Sequence, residues 1–183
     1  ERLRCALEAP YELGAHSVRS SASIGLVHVT GAYETAEELL RDADIAMYEA
    51  KMAGRNTLRF FDPAMQWALE ARTALEADLR GALALDQFVV YYQIQVNAAN
   101  RPIGAEALLR WAHPERGLVS PAQFIPMAED TGLILSIGRW VLQSACAQIK
   151  AWESNPLACD LQLAVNVSAH QFRQPDFVDQ VKQ

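Results

Sequence analysis

Two rhythms of hydrophobic and polar residues run through this chain, one with the period of a strand and one with that of a helix. Residues 11–16 read as a strand turning through Gly14, and residues 18–29, centred on Ser21 to Val27, as the strand returning beside it. Gly25 inside that run predicts a bulge or a close backbone approach. Thr35 and Glu38 then form a capping box, a hydroxyl at the cap and a carboxylate on the first turn. In the helix they open, Ala36, Leu39, Leu40, Ala43, Met47, Ala50 and Ala53 recur at helical spacing. Gly54 is expected to stop it in the left-handed backbone region, and residues 58–61 to form a short closing strand. Asp62-Pro63 breaks the pattern. Residues 64–85 read as a long helix, with Met65, Leu69, Leu75, Leu79 and Leu83 set among charged residues, as suits a connector between two compact units.

Beyond that helix the rhythm changes again. Residues 88–96 are strong strand formers, and Asn97 to Asn100 turn the chain into a second strand that includes Glu106. Ser120-Pro121 predicts a capped helix to about Asp130, and Thr131-Gly132 separates it from a second one over 133–152. Leu135, Trp140, Leu142, Ala145 and Ile149 are that second helix's candidate core positions. Residues 161–168 form a third strand, and a helix begins near residues 175–178 and runs to Gln183. Strands alternating with helices predict an α/β fold with a parallel sheet. The expected organisation is a first unit over 1–62, a connecting helix over 63–85 and a second unit over 86–183.

Composition narrows the function classes. The 183 residues are 51% hydrophobic and 21% charged, a globular balance rather than a disordered one. A net charge of −6 argues against a partner that is a nucleic-acid polymer, while leaving room for a small phosphate ligand. Cys5, Cys146 and Cys159 are odd in number and far apart, which fits a reducing compartment and neither a disulfide framework nor a zinc site. A cytoplasmic location is therefore expected, either for the whole protein or for the cytoplasmic part of a longer membrane-anchored one. No run reaches the ~18 apolar residues that a membrane span requires. The chain lacks a starting Met and opens and closes inside what read as structural elements, so both ends look cut.

The candidate chemistry lies between Gly104 and Pro114. On a strand, Ile103, Ala105, Ala107 and Leu109 project to one side and Glu106, Leu108 and Arg110 to the other. Charge is costly beside a core unless it is paired or binds something. Either Glu106 and Arg110 are satisfied by a neighbouring strand or by one another, or Glu106 holds a metal while Arg110 holds a phosphate. Asn166 ends the apolar run 161–165, at the strand end that carries active sites in α/β barrels, though it equally suits a turn or a helix cap. Lys51 and Arg55, at the end of the first long helix, either complement its dipole or face an anion. His113 and His170 lack metal-like spacing and read as local hydrogen-bonding residues.

Taken together, these segments resemble a bacterial tandem GGDEF–EAL cyclic-di-GMP signalling protein. Ala22-Ser23-Ile24-Gly25 and the run from Ala43 to Asn56 resemble the C-terminal part of a GGDEF domain. The second part resembles the N-terminal portion of an EAL domain, through Tyr91-Tyr92-Gln93, the run from Glu106 to Trp111 with His113-Pro114, and Phe124-Ile125-Pro126 with Ala128-Glu129. Gly132, Val165-Asn166-Val167-Ser168 and Gln171-Phe172 continue the ordered series. The implied fold is the end of a nucleotidyl-cyclase-like α/β domain, a connecting helix, and the first strands and helices of a TIM-like (β/α)8 barrel.

The resemblance implies that the parent protein is a phosphodiesterase that hydrolyses cyclic-di-GMP to linear pGpG with two Mg²⁺ or Mn²⁺ ions. By position, Glu106 and Asn166 would be metal ligands, Arg110 would bind a ligand phosphate, Leu108 would pack near a guanine and Gln93 would contact the dinucleotide. Lys51 and Arg55 match basic residues that contact a triphosphate in GGDEF domains. Ile94 stands where the family usually has proline. The GGDEF signature and the later EAL carboxylates and lysine fall outside the sequence, so neither diguanylate cyclase activity nor turnover by the fragment alone is expected. The alternatives are a non-catalytic cyclic-di-GMP receptor, or a scaffold acting through the GGDEF remnant and the connecting helix. Too few strands are present to close a barrel, so open edges are expected to pair copies of the fragment, as a homodimer or an aggregate.

Overall fold

The computed structural model describes residues 2–29 and 33–182. Its residues fall into two compact units, 1–74 and 75–183.

In the first unit, helix α1 (Arg2–Leu7) precedes a hairpin of β1 (Tyr11–Leu13) and β2 (His16–Val18), turned at Gly14 with φ of 64°. Residues 18–29 do not form one returning strand. Strand β2 stops at Val18, and β3 (Ile24–Leu26) pairs in parallel with β4 (Leu58–Phe60) across the intervening helix α2 (Ala36–Met52). A parallel partner must lie beyond a crossover, so the neighbour of β3 is a distant segment rather than the adjacent one. Gly25 does serve a close approach. A Cβ there would run into the carbonyl oxygen of Ala43 and the amide nitrogen of Met47, so the backbone of α2 packs directly onto the strand.

The capping box of α2 forms as expected. Glu38 N–H donates to Thr35 Oγ1 at 3.3 Å, and Thr35 N–H donates to Glu38 Oε2 at 3.4 Å. The helix buries Asp42, Ile45, Ala46 and Ala50, whereas Leu40 is 67% exposed and takes no part in the core. It ends through left-handed residues at Gly54, Arg55 and Asn56, with φ of 102°, 63° and 46°. Asn56 is tied back to α1: its Nδ2 donates to Glu8 Oε1 at 2.6 Å, and Arg4 Nη1 donates to its Oδ1 at 3.1 Å. Helix α3 (Pro63–Ala82) begins with proline in its first turn, where no intrahelical donor is lost. It ends before the expected Leu85, which is 66% exposed, because the chain turns through Asp86 at φ of 51°.

In the second unit, β5 (Phe88–Val96), β6 (Pro102–His113), β7 (Gly117–Val119) and β8 (Gln162–Val165) form one sheet. The sheet is mixed rather than parallel. Strand β6 pairs antiparallel with β5 and β7 and parallel with β8. The short connections through Asn97 to Asn100 and Glu115 to Arg116 permit only hairpins, while β8 returns after two helices. Those helices are α4 (Pro121–Thr131) and α5 (Ile134–Trp152), separated at Gly132 with φ of 77°. Ser120 occupies the cap of α4 without a side-chain hydrogen bond. Two short helices, α6 (Ala169–Phe172) and α7 (Phe177–Lys182), close the chain, and Gln183 lies outside the described residues.

One face of this sheet carries the core. Phe88 and Trp111 pack with Phe124 and Met127 of α4, with Ile134, Ile137 and Val141 of α5, and with Leu75, Leu79 and Ala82 of α3. Trp111 is fully buried, its ring edge-on to Phe124 at 5.7 Å and its Nε1 donating to Gln87 Oε1 at 3.0 Å. Of the expected α5 positions, Ala145 is buried and Leu135 and Trp140 pack at the margin, but Ile149 is 41% exposed. The buried stripe runs through Ile134, Ile137, Gly138, Val141 and Ala145.

Candidate functional site

With Ala105, Ala107, Trp111 and His113 buried toward the helices, alternation turns Glu106, Leu108 and Arg110 to the opposite face of β6. Register adds their neighbours. Gln93 of β5 stands opposite Glu106, Tyr91 opposite Leu108, and Ala164 of β8 opposite Glu106 on the other side. Asn166 follows the end of β8, and its Nδ2 donates to Glu106 Oε1 at 2.7 Å. Residues 60 positions apart are thus brought into direct contact. Asn166 Oδ1 and Glu106 Oε2 take no part in that bond. Oxygen donors of this kind, carboxylate and carboxamide, suit hard divalent cations. Among the described residues no three His, Cys, Asp or Glu side chains gather to form a fuller metal cluster.

Arg110 lies four residues along the same strand, so its Cα is about 13 Å from that of Glu106 at the usual rise. The two are therefore not one another's ion-pair partners. The Arg110 guanidinium sits 5.7 Å from the centre of the Tyr91 ring, and its Nη1 donates to the carbonyl of Leu109 at 2.9 Å. Strand β6 has β8 beside it only as far as Ala107 and β7 only from Trp111. Beside the intervening Leu108 to Arg110 opens a cavity of 280 Å³, largely apolar, lined by residues that include Arg110, Ile125, Glu129, Ile137, Asn166 and Gln171. Glu106, Asn166, Gln93, Leu108 and Arg110 thus share one surface.

The other candidates separate from it. Lys51 is exposed on the last turn of α2, but Arg55 lies beyond the helix end in left-handed backbone, so the two do not share a helical face. His113 is buried and structural. Its Nδ1 accepts from the backbone N–H groups of Glu115 and Arg116 at 3.1 and 3.2 Å, which places the proton on Nε2, 3.1 Å from Asp78 Oδ2. Tyr92, on the helix-facing side of β5, packs edge-on against Trp152 at 5.3 Å, and burial raises its phenol above the ordinary 10.0. Sequence reasoning missed Tyr91 as the support of Arg110, because the cross-strand pair depends on register. The burial of Gln171, 6% exposed, is likewise not legible in the sequence.

Residues 76–183 match the family described as EAL domain, and residues 1–57 match the family described as diguanylate cyclase, GGDEF domain. The chain belongs to the EAL domain family, with the end of a GGDEF domain preceding the EAL part. The bifunctional diguanylate cyclase/cyclic di-GMP phosphodiesterase MucR of Pseudomonas aeruginosa is 47% identical over 183 residues, covering 100% of this chain and 27% of that protein. The cyclic di-GMP phosphodiesterase PdeR of Escherichia coli is 35% identical over 182 residues, again covering 100% of this chain and 27% of that protein. Among solved structures, the c-di-GMP complex of the PaMucR phosphodiesterase aligns with a TM-score of 0.58 at 50% identity, over 60% of this chain and 44% of that one. The Xanthomonas citri FimX EAL domain in complex with c-diGMP aligns with a TM-score of 0.52 at 27% identity, over 63% and 44%. The chain spans 27% of the length of the two curated relatives. Among the described residues no helix is long and apolar enough to cross a membrane.

Proposed function

We propose that the protein carrying this chain is a metal-dependent phosphodiesterase that hydrolyses cyclic-di-GMP to linear pGpG. The observation that carries the reading is the Asn166–Glu106 contact at 2.7 Å, on the same face as Gln93, Leu108 and Arg110. MucR and PdeR bear phosphodiesterase names, and the PaMucR structure holds c-di-GMP, which supports the substrate. Asn166 and Glu106 would hold Mg²⁺ or Mn²⁺ through their oxygens, within a complete TIM-like barrel that supplies the remaining ligands. Bound there, such ions would supply Lewis-acid activation of a water and stabilise charge on the reacting phosphate.

The chain's own residues bind and orient. Arg110 presents a planar fork to a phosphate of the dinucleotide, charge-assisted and bidentate. Leu108 gives an apolar surface to a guanine between Arg110 and Glu106. Gln93, opposite Glu106, donates to the dinucleotide from the next strand. Lys51 and Arg55 would contact a triphosphate in the GGDEF part.

A receptor that binds cyclic-di-GMP without turnover would use Gln93, Leu108 and Arg110 and have no need of Glu106. The test incubates the full-length protein with cyclic-di-GMP and Mg²⁺ or Mn²⁺ and follows pGpG by chromatography. Appearance of pGpG supports the enzyme. Binding without product in either metal, by a folded protein, overturns it in favour of the receptor, and absence of binding favours a scaffold.

A further inference from the structure

Asn166 has no strand to hold it, since β8 ends one residue earlier at Val165. The turn that follows it is itself closed by hydrogen bonds. Ser168 caps α6, and Gln171 on that first turn closes a capping box. Gln171 N–H donates to Ser168 Oγ at 3.2 Å, while Gln171 Oε1 accepts from both the backbone N–H and the hydroxyl of Ser168 at 3.2 Å.

A capping glutamine on a helix of four residues would ordinarily lie in solvent, yet Gln171 is only 6% exposed. Its carboxamide occupies the space that a Cβ on Gly138 would fill. Gly138 is buried in the middle of α5 with ordinary helical backbone, where glycine costs about 0.5–1 kcal/mol relative to alanine. The clearance it leaves for Gln171 is the feature that accounts for it. Gln171 and Ser168 also line the cavity beside Asn166.

We infer that Gln171, seated in the notch at Gly138 of α5, is a positioning residue that holds Asn166 against Glu106 through the Ser168 cap. The inference rests on the proposed metal role of Asn166 and Glu106. Helix α5 belongs to the buried core through Ile137 and Val141, so the succession Ile137–Gly138–Gln171–Ser168–Asn166 runs from that core to a loop residue. The relay touches no ligand. It acts by denying Asn166 the alternative orientations open to a residue just past a strand end.

The experiment uses the full-length protein with Gln171→Leu, Gly138→Ala and the milder Ser168→Ala, and with Gln171→Glu as the conservative variant that keeps the accepting oxygen. Three readouts are taken: Mn²⁺ titration by calorimetry, the ¹⁵N side-chain amide signals of Asn166, and kcat and KM for cyclic-di-GMP. Gln171→Leu is expected to weaken Mn²⁺ binding about 10-fold or more and lower kcat by a similar factor, with KM within about threefold, in the range seen when outer-shell partners of metal ligands are lost. Gln171→Glu should restore both, and Ser168→Ala should shift the Asn166 signals in the same direction as Gln171→Leu. Should Gln171→Leu or Gly138→Ala fail to fold, Ser168→Ala decides alone. Unchanged Asn166 signals and unchanged Mn²⁺ affinity in the folded variants overturn the inference. If the wild type binds no Mn²⁺ and makes no pGpG, the proposed function fails, while the Asn166 signals still decide whether Gln171 positions that residue.

Discussion

Tyr91 gives a sharp test of the phosphate contact proposed for Arg110. Its ring lies 5.7 Å from the Arg110 guanidinium carbon and is 52% exposed. A cation stacked on a solvent-exposed ring gains about 0.5–1 kcal/mol, so Tyr91→Leu should weaken cyclic-di-GMP binding by roughly two- to fivefold. Removing the guanidinium itself deletes a charged hydrogen bond of about 1.5–3 kcal/mol, so Arg110→Ala should weaken binding by roughly 10- to 100-fold. If the ring acts by orienting Arg110, the two effects are not additive. In the Arg110→Ala background, Tyr91→Leu should then cost nothing further, and Tyr91→Phe should stay within about twofold of wild type because it keeps the ring. Calorimetric titration of the full-length protein with cyclic-di-GMP in chelator, where turnover is blocked, measures all four corners of the cycle. An equal loss from Tyr91→Leu with and without Arg110 would refute the reasoning, since the ring would then touch the dinucleotide itself.

Other consequences are smaller. Thr35→Ala should destabilise the chain by about 1 kcal/mol in urea unfolding because its hydroxyl caps α2, whereas Ser120→Ala should stay within about 0.5 kcal/mol because Ser120 makes no capping bond. His113→Ala should cost about 2–4 kcal/mol and loosen the β6–β7 hairpin, read as faster amide exchange at Glu115 and Arg116; wild-type exchange there would contradict the assignment of those bonds. Burial raises the Tyr92 phenol, so its neutral form is favoured by folding. That contribution is complete below the ordinary pKa of 10.0 and is lost as pH rises through the higher folded value. A Tyr92→Phe difference titration in the ultraviolet should therefore place its phenolate above pH 10, and a midpoint at or below 10 would contradict the packing against Trp152.

The legibility of this molecule followed the range of its interactions. Strand β5 was readable end to end because nine strand-forming residues alternate between two clear turns. Helix α2 was readable because its cap, stripe and glycine stop are all local. Three-residue β7 and four-residue α6 carry too few positions for a period to be legible. The partner of β3 is not legible in its sequence neighbour, because a parallel pair is closed by a crossover. The side of β6 that faces the site followed from alternation alone. Its contacts did not. Asn166 against Glu106, Tyr91 under Arg110 and Gln171 against Gly138 each depend on register or on docking between distant segments, which no single stretch encodes. The resemblance points to the candidate residues, and the geometry adds the contacts around them.

Hydrolysis of cyclic-di-GMP by the full-length protein, wild type against Glu106→Gln, tests the central claim most directly. With Mn²⁺ or Mg²⁺ present, the wild type should release pGpG, and the variant should lose roughly 100-fold or more of the rate while still binding cyclic-di-GMP, since Gln93, Leu108 and Arg110 remain. A wild type that binds the dinucleotide and releases no product, or a Glu106→Gln variant that turns over at the wild-type rate, would contradict the account.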